Sequence, residues 1–254
     1  MDKIKVAIIG TGNRTRKVYT PLFKSLNNEI DIVAVCDPNR ESCSEYANLL
    51  GVKPYHSIKE LVNDKIINVA LVVCPIDIHY ALSIYLSENK IHQLIETSMC
   101  STVEQGRLMV AKAAENNVVM RIAENFLRFP FDRIAKEIDK TKFIGEVKRI
   151  VCYHDHTGYH NNSRWTHFFD EYPEIISTQV KTDQDDSRID IESRAKLLIG
   201  KKTKVNIHSS IESNEEMKIW LEFFGKEGSL KINNFVRSAW GTLQLSNRDT
   251  ELKE

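Results

Sequence analysis

The stretch Ile4-Lys5-Val6-Ala7-Ile8-Ile9-Gly10-Thr11-Gly12 decides the fold. An apolar, β-branched run that ends in Gly-x-Gly is how a chain passes from a buried parallel strand into a tight turn at a helix N-terminus. The N–H groups and dipole of such a terminus favour a pyrophosphate. A second run, Ile30-Asp31-Ile32-Val33-Ala34-Val35-Cys36, reads as another buried strand and ends in Asp37. A carboxylate at that strand end accepts hydrogen bonds from an adenosine ribose. The two together imply a nicotinamide-dinucleotide site. The third glycine position of the fingerprint holds Thr15, which adds bulk where helix and strand pack closely. The same residues also admit a plainer reading, a glycine turn in another α/β fold with Asp37 a turn residue before Pro38.

Outward from this stretch, strands and helices alternate. A helix is expected over about 14–26, with Pro21 kinking it or lying near its first turns. Glu41–Leu50 reads as a helix stopped by Gly51, and His56–Val62 as a short helix capped by Ser57, with Glu60 three residues on. Val69–Cys74 is a third buried strand. Ile78–Asn89 is a helix, Gln93–Glu96 a strand, Thr102–Asn116 a helix and Val118–Ala123 a strand. Regular β–α alternation predicts an α/β fold, a doubly wound parallel sheet covered on both faces.

Near residue 125 the pattern changes. Phe131–Lys140 reads as a helix and Val147–Tyr153 as a half-buried strand. The segments 204–208, 218–224 and 229–232 read as antiparallel strands, with Gly225-Lys226-Glu227-Gly228 as a hairpin turn. The division is therefore 1–124, a dinucleotide-binding Rossmann domain, and 125–254, a smaller α+β domain with an open, mostly antiparallel sheet. Trp220, Phe223, Phe224 and Trp240 fall on its strands, and burying such apolar area favours a homo-oligomer formed through that sheet.

Composition excludes several classes. The 254 residues are 42% hydrophobic and 28% charged, which suits a globular protein. Lys+Arg and Asp+Glu both number 35, so no net charge draws the chain to nucleic acid or to an anionic membrane. There is no run long enough to span a bilayer and no N-terminal signal segment. Five scattered cysteines without a Cys-x-x-Cys fit a reducing cytoplasm.

Six pieces of sequence, in order, resemble the Gfo/Idh/MocA oxidoreductase family. Gly10-Thr11-Gly12-Asn13-Arg14 resembles its dinucleotide loop. Pro75-Ile76-Asp77-Ile78-His79 after the third strand resembles its proline–x-x-x–histidine motif, and Glu96 stands where the family has Glu-Lys-Pro. Asn125-Phe126-Leu127-Arg128-Phe129-Pro130 resembles its domain-crossing segment. Gly145-Glu146-Val147 resembles the start of its second sheet, and Gly158-Tyr159-His160 the motif that presents its active-site histidine. The resemblance implies an NAD(P)-dependent oxidoreductase acting on a sugar, cyclitol or related carbonyl or imine. The family's proton-handling lysine is replaced here by Thr97, which can orient a hydroxyl or a water but cannot act as a base.

His160 is then the leading acid/base, since an imidazole titrates close to neutrality; its plainer reading is a helix cap. Gly10, Gly12, Asn13, Arg14, Asp37, Pro75, His79, Glu96 and Asn125 are the cofactor-binding candidates, although His79 also reads as a packing residue. Asp37 favours NAD, and Arg40 leaves NADP open. Arg128, His156, Tyr159 and Arg164 are the substrate-binding candidates, next to Tyr153 and Trp165. His154, Asp155, His156 and His160 form a local cluster, read as a polar pocket floor rather than a metal site because no tight ligand spacing is present. Loss of the lysine, Thr15 and the short second half keep a second function open: a catalytically silent sensor or scaffold that binds NAD(H) or a metabolite.

Overall fold

The computed structural model describes residues 3–125, 128–154, 159–169, 174–185, 188–199, 203–211, 220–233, 240–245 and 248–252. Two compact units divide the chain, Met1–Ala123 and Glu124–Glu254.

The first unit carries β1 (Ile4–Ile9), β2 (Ile30–Cys36), β3 (Lys53–Tyr55), β4 (Val69–Val72), β5 (His92–Ile95) and β6 (Met120–Ile122). They pair in parallel in the order β3-β2-β1-β4-β5-β6. The order reverses between β1 and β4, and ligands of open α/β sheets lie outside the carboxyl ends of the strands at such a switch. Val6 to Ile9 are all buried because both faces are covered. Ala7, Ile9, Ala70, Val72 and Ile95 pack with Leu86 and Met109. Their neighbours Val6, Ile8, Val35, Leu71 and Val73 pack with Cys43, Tyr46 and Ala47.

The helix after β1 differs from expectation. Thr15–Tyr19 form a π-helical turn that runs into α1 (Thr20–Ser25), with Pro21 in its first turn. There the missing proline N–H costs nothing. The remaining helices of this unit are α2 (Arg40–Leu50), α3 (Ile58–Asn63), α4 (Ile76–Glu88) and α5 (Val103–Glu115). The Asn39 and Thr102 side chains accept from Ser42 and Gln105 N–H as caps, and Gly51 ends α2 in the left-handed region. Edge strand β3, which contains Pro54, is absent from the sequence reading.

The second unit opens with α6 (Pro130–Lys140), β7 (Val147–His154) and α7 (Tyr159–Phe169). It continues through β8 (Glu174–Asp185), β9 (Arg188–Ile199), β10 (Thr203–Ile211), β11 (Trp220–Gly225), β12 (Gly228–Asn233), β13 (Trp240–Leu245) and β14 (Arg248–Leu252). The sheet order is β14-β13-β12-β11-β7-β10-β9-β8, antiparallel throughout except for the β7–β10 pair. Phe131 and Ala135 of α6 and Phe168 of α7 pack with Ile150, Cys152, Leu221, Phe223, Leu230 and Ile232. Phe223 thus belongs to the core, and only its alternates Trp220 and Phe224 keep partial exposure. Lys231 and Arg149 lie over their rings at 4.3 and 4.0 Å. Among the described residues no helix is long and apolar enough to cross a membrane, and the five cysteines are free thiols.

Candidate functional site

Four chain segments meet at the carboxyl edge of the first sheet: Gly10–Arg14 after β1, Asp37 after β2, Cys74–Pro75 after β4 and Glu96–Ser98 after β5. Gly10 sits at φ +99°, and a Cβ there would stand 2.1 Å from the Val73 carbonyl oxygen. Only glycine fits. At Gly12 a Cβ would meet nothing within 4 Å, so open space lies over this residue. Gly12, Asn13 and Arg14 are exposed where a helical segment opens. A helix N-terminus under open space is what a pyrophosphate requires.

Asp37 holds this loop in shape. Its Oδ2 accepts from the Thr11 N–H at 2.8 Å and the Thr11 hydroxyl at 3.0 Å, and its Oδ1 from the Asn39 N–H at 2.9 Å. Half-buried, the carboxylate keeps further lone pairs for ribose hydroxyls. Thr15 answers the bulk problem at the third glycine position. It is fully buried, and its hydroxyl donates to the Gly10 carbonyl at 2.7 Å, tying the turn to the π-helical segment. Arg16 braces the far side, donating to the Thr11 carbonyl at 3.0 Å and to Glu45 at 2.9 Å while lying over the Tyr46 ring.

Glu96 does not present an open carboxylate to a ribose. Its Oε1 accepts from Arg14 Nε at 2.7 Å and from the Tyr19 hydroxyl at 2.8 Å, and its Oε2 from the Thr97 N–H at 2.9 Å and the Thr97 hydroxyl at 3.4 Å. Burial works against its charge, but the bonds from Arg14, Tyr19 and Thr97 outweigh it and hold the carboxyl below its ordinary range. Burial and the bond to Glu96 push the Tyr19 hydroxyl well above its ordinary value. Since β4 lies between β1 and β5 in the sheet, the Arg14–Glu96 pair crosses the end of β4.

His79 is corrected from cofactor ligand to internal brace. It is 1% exposed, with Nδ1 2.9 Å from the Ser98 carbonyl and Nε2 2.9 Å from the Cys74 carbonyl, so it joins two loops from below. Pro75 is exposed at the N-cap of α4. Thr97 is half-buried, its hydroxyl directed at Glu96.

In the second unit, His160 near the start of α7 places Nδ1 2.8 Å from Glu124 Oε2, both side chains being 12% exposed. A carboxylate only accepts, so in this contact Nδ1 carries the proton. Glu124 was not singled out in the sequence. Its one signal is an acid beside Asn125, and nothing in a spacing of 36 residues connects it to His160. Arg164 is corrected from substrate ligand to core residue. It and Asp132 are fully buried against each other, with Nη2 donating to Oδ2 at 3.1 Å. Asn125 and Arg128 are exposed, and the Arg128 N–H donates to the Asn125 carbonyl at 2.9 Å in a turn. Residues 155–158, and with them Asp155 and His156, lie outside the described residues, as do the side chains of Tyr153, His154, Tyr159 and Trp165.

Residues 4–124 match the family described as an oxidoreductase family with an NAD-binding Rossmann fold. An uncharacterised oxidoreductase of Schizosaccharomyces pombe is 27% identical over 169 residues, 65% of this chain and 45% of that protein. The scyllo-inositol 2-dehydrogenase (NADP+) of Bacillus subtilis is 26% identical over 125 residues, 49% of this chain and 34% of the enzyme. The matched regions span less than half the length of either relative. In fold, a 3-ketoreductase from Actinomadura kijaniata crystallised with NADP superposes with a TM-score of 0.84 at 15% identity, covering 99% of this chain and 83% of that one. The first unit, over residues 4–124, thus matches the Gfo/Idh/MocA oxidoreductase family.

Proposed function

We propose that this protein is an NAD(P)-dependent oxidoreductase that moves a hydride to or from a sugar, cyclitol or related carbonyl or imine, with His160 as the acid/base. The observation that carries this reading is the His160–Glu124 contact at 2.8 Å, which orients the imidazole through Nδ1. A bound nicotinamide supplies the hydride chemistry itself. The amides of Gly12, Asn13 and Arg14 would hold the pyrophosphate, Asp37 the adenosine ribose, and Pro75 the wall near the second ribose. Asp37 favours NAD. The Bacillus subtilis relative and the Actinomadura kijaniata structure, both named with NADP, and Arg40 three residues after Asp37, keep NADP in play. Thr97, bonded to Glu96, orients a hydroxyl or water and takes no proton itself. Arg128, His156 and Tyr159 are the candidates for binding the substrate. The partly exposed Trp220 and Phe224 support association of copies through the second sheet.

A silent sensor or scaffold is the second reading. Thr97 in place of a base and the four donors gathered on Glu96 favour it. Titration with NADH and NADPH, followed by nicotinamide fluorescence, separates the two when joined to turnover of keto-sugars by wild type and His160→Ala. The enzyme reading expects binding of at least one cofactor and a kcat reduced about 10²-fold in the variant. Binding without turnover of any carbonyl substrate supports an NAD(H) sensor, and no binding at millimolar cofactor defeats the enzyme reading and leaves the metabolite sensor or scaffold.

A further inference from the structure

Three residues at helical spacing line one face of α7: His160, Arg164 and Phe168. Two of them meet a carboxylate and the third an aromatic ring. His160 meets Glu124 at 2.8 Å. Arg164 meets Asp132, with Nη2 donating to Oδ2 at 3.1 Å and Nε standing 2.9 Å from Oδ1 without the alignment of a hydrogen bond. Phe168 meets the edge of Phe223, ring centroids 5.2 Å apart. Both acids come from one short stretch of chain, Glu124 just ahead of α6 and Asp132 in its first turn, where the neighbouring Phe131 is 1% exposed in the core.

The middle pair is the unexpected element. Asp132 and Arg164 are both 0% exposed. A buried ion pair is a weak source of stability, because apolar residues of similar volume fill the same space without removing two charges from water. What a pair of this kind has, and an apolar contact lacks, is direction. Apolar burial alone tolerates rotation of a helix about its axis. One residue of slippage turns an α-helix by about 100°, enough to carry His160 off Glu124 altogether.

We propose that the buried Asp132–Arg164 pair is a positioning device for His160: it fixes the rotation and register of α7 so that the imidazole one turn earlier meets Glu124 through Nδ1. The catalytic half of this claim rests on the reading of His160 as the acid/base. The structural half does not.

The test replaces the pair in the full chain with apolar residues of similar volume, Asp132→Leu with Arg164→Met. The charge-conserving double change Asp132→Glu with Arg164→Lys serves as a second variant if the first does not fold. The ring tautomer of His160 is read by ¹⁵N NMR on histidine-labelled protein, and kcat and KM are measured with NAD(P)H and a keto-sugar. The expected result is a folded variant with an unchanged melting temperature in which His160 loses its Nδ1–H signature, as it does in Glu124→Ala. Its kcat falls at least tenfold while KM for the cofactor stays within twofold. A folded variant that keeps both the Nδ1–H tautomer and wild-type kcat overturns the proposal and makes the pair a packing element only. If wild type turns over no carbonyl substrate, the oxidoreductase reading fails on that arm, and the tautomer still decides the positioning claim.

Discussion

The two glycines of the first loop have opposite jobs, so the same substitution at each will separate folding from binding. At Gly10, alanine is strained by φ +99° and by a Cβ placed 2.1 Å from the Val73 carbonyl oxygen. Relief needs β1 and β4 to part by roughly an ångström, overpacking that costs about 1–3 kcal/mol. The positive φ adds about 1–2 kcal/mol. The bonds from Val73 N–H to Ile9 O at 2.8 Å and from Gly10 N–H to Cys36 O at 2.9 Å lie in the strained region. A total near 4 kcal/mol corresponds to roughly 12–20 °C in the melting temperature of a unit this size. At Gly12 the added methyl meets nothing, so Gly12→Ala will unfold within about 0.5 kcal/mol of wild type. It will instead intrude where a pyrophosphate approaches the backbone, and NADH affinity will fall by about tenfold, or roughly 1.4 kcal/mol. Urea unfolding and NADH fluorescence titration of both variants check the pair of claims. Equal losses of stability, or full NADH affinity in Gly12→Ala, would refute the assignment of one glycine to the fold and the other to the ligand.

Thr15→Gly restores the third glycine of the fingerprint and yet will destabilise the protein by about 2 kcal/mol, because it removes the buried hydroxyl bond to Gly10 O and adds backbone freedom. A denaturation midpoint at or above wild type would contradict it. Glu96 has a carboxyl pKa below the ordinary 4.5, so its contribution is present above that value and is lost as pH falls through the depressed folded value. Glu96→Gln will therefore be less stable than wild type at pH 7, by about 2 kcal/mol, and the gap will narrow on acidification below pH 4.5; a gap independent of pH would show that the charge carries nothing. Burial pushes the Cys36 and Cys152 thiols up to about 12, and Cys43 is buried and raised as well. A thiol reagent at pH 8 will leave these three intact in native protein and label them only on unfolding, as peptide mapping will show.

The parallel sheet was legible because burial on both faces writes itself into the sequence. Ile4–Ile9, Ile30–Cys36 and Val69–Val72 are near-continuous apolar runs, and no other element tolerates them beside Gly-x-Gly. In the second sheet that signal is weaker. The hairpin of β8 and β9 pairs over the length of both strands, yet its sequence is rich in Thr, Gln, Asp and Arg, and Ile175 and Ile176 of β8 are exposed. Hydropathy therefore says little about it. β3 was hidden for a related reason: three residues including Pro54 suffice at an edge, where one missing donor breaks no interior ladder.

The site divides along the same physical line. Gly10, Gly12 and Asp37 act through backbone conformation at a strand end, which sequence spacing encodes directly. Glu124, Asp132 and Arg164 act through side chains brought together by tertiary packing, and no local pattern fixes that. A charged residue such as Arg164 reads by default as solvent-facing. It is the 32-residue contact with Asp132 that makes burial tolerable. His79 was misassigned for the mirror-image reason: a motif placed it near the ligand, while two carbonyl contacts at 2.9 Å place its ring beneath the loops that would hold one. Spacing in sequence locates the edge of the sheet where chemistry happens. Which face of each side chain reaches the reactants is decided by partners far away in the chain, and at His160 that partner is Glu124.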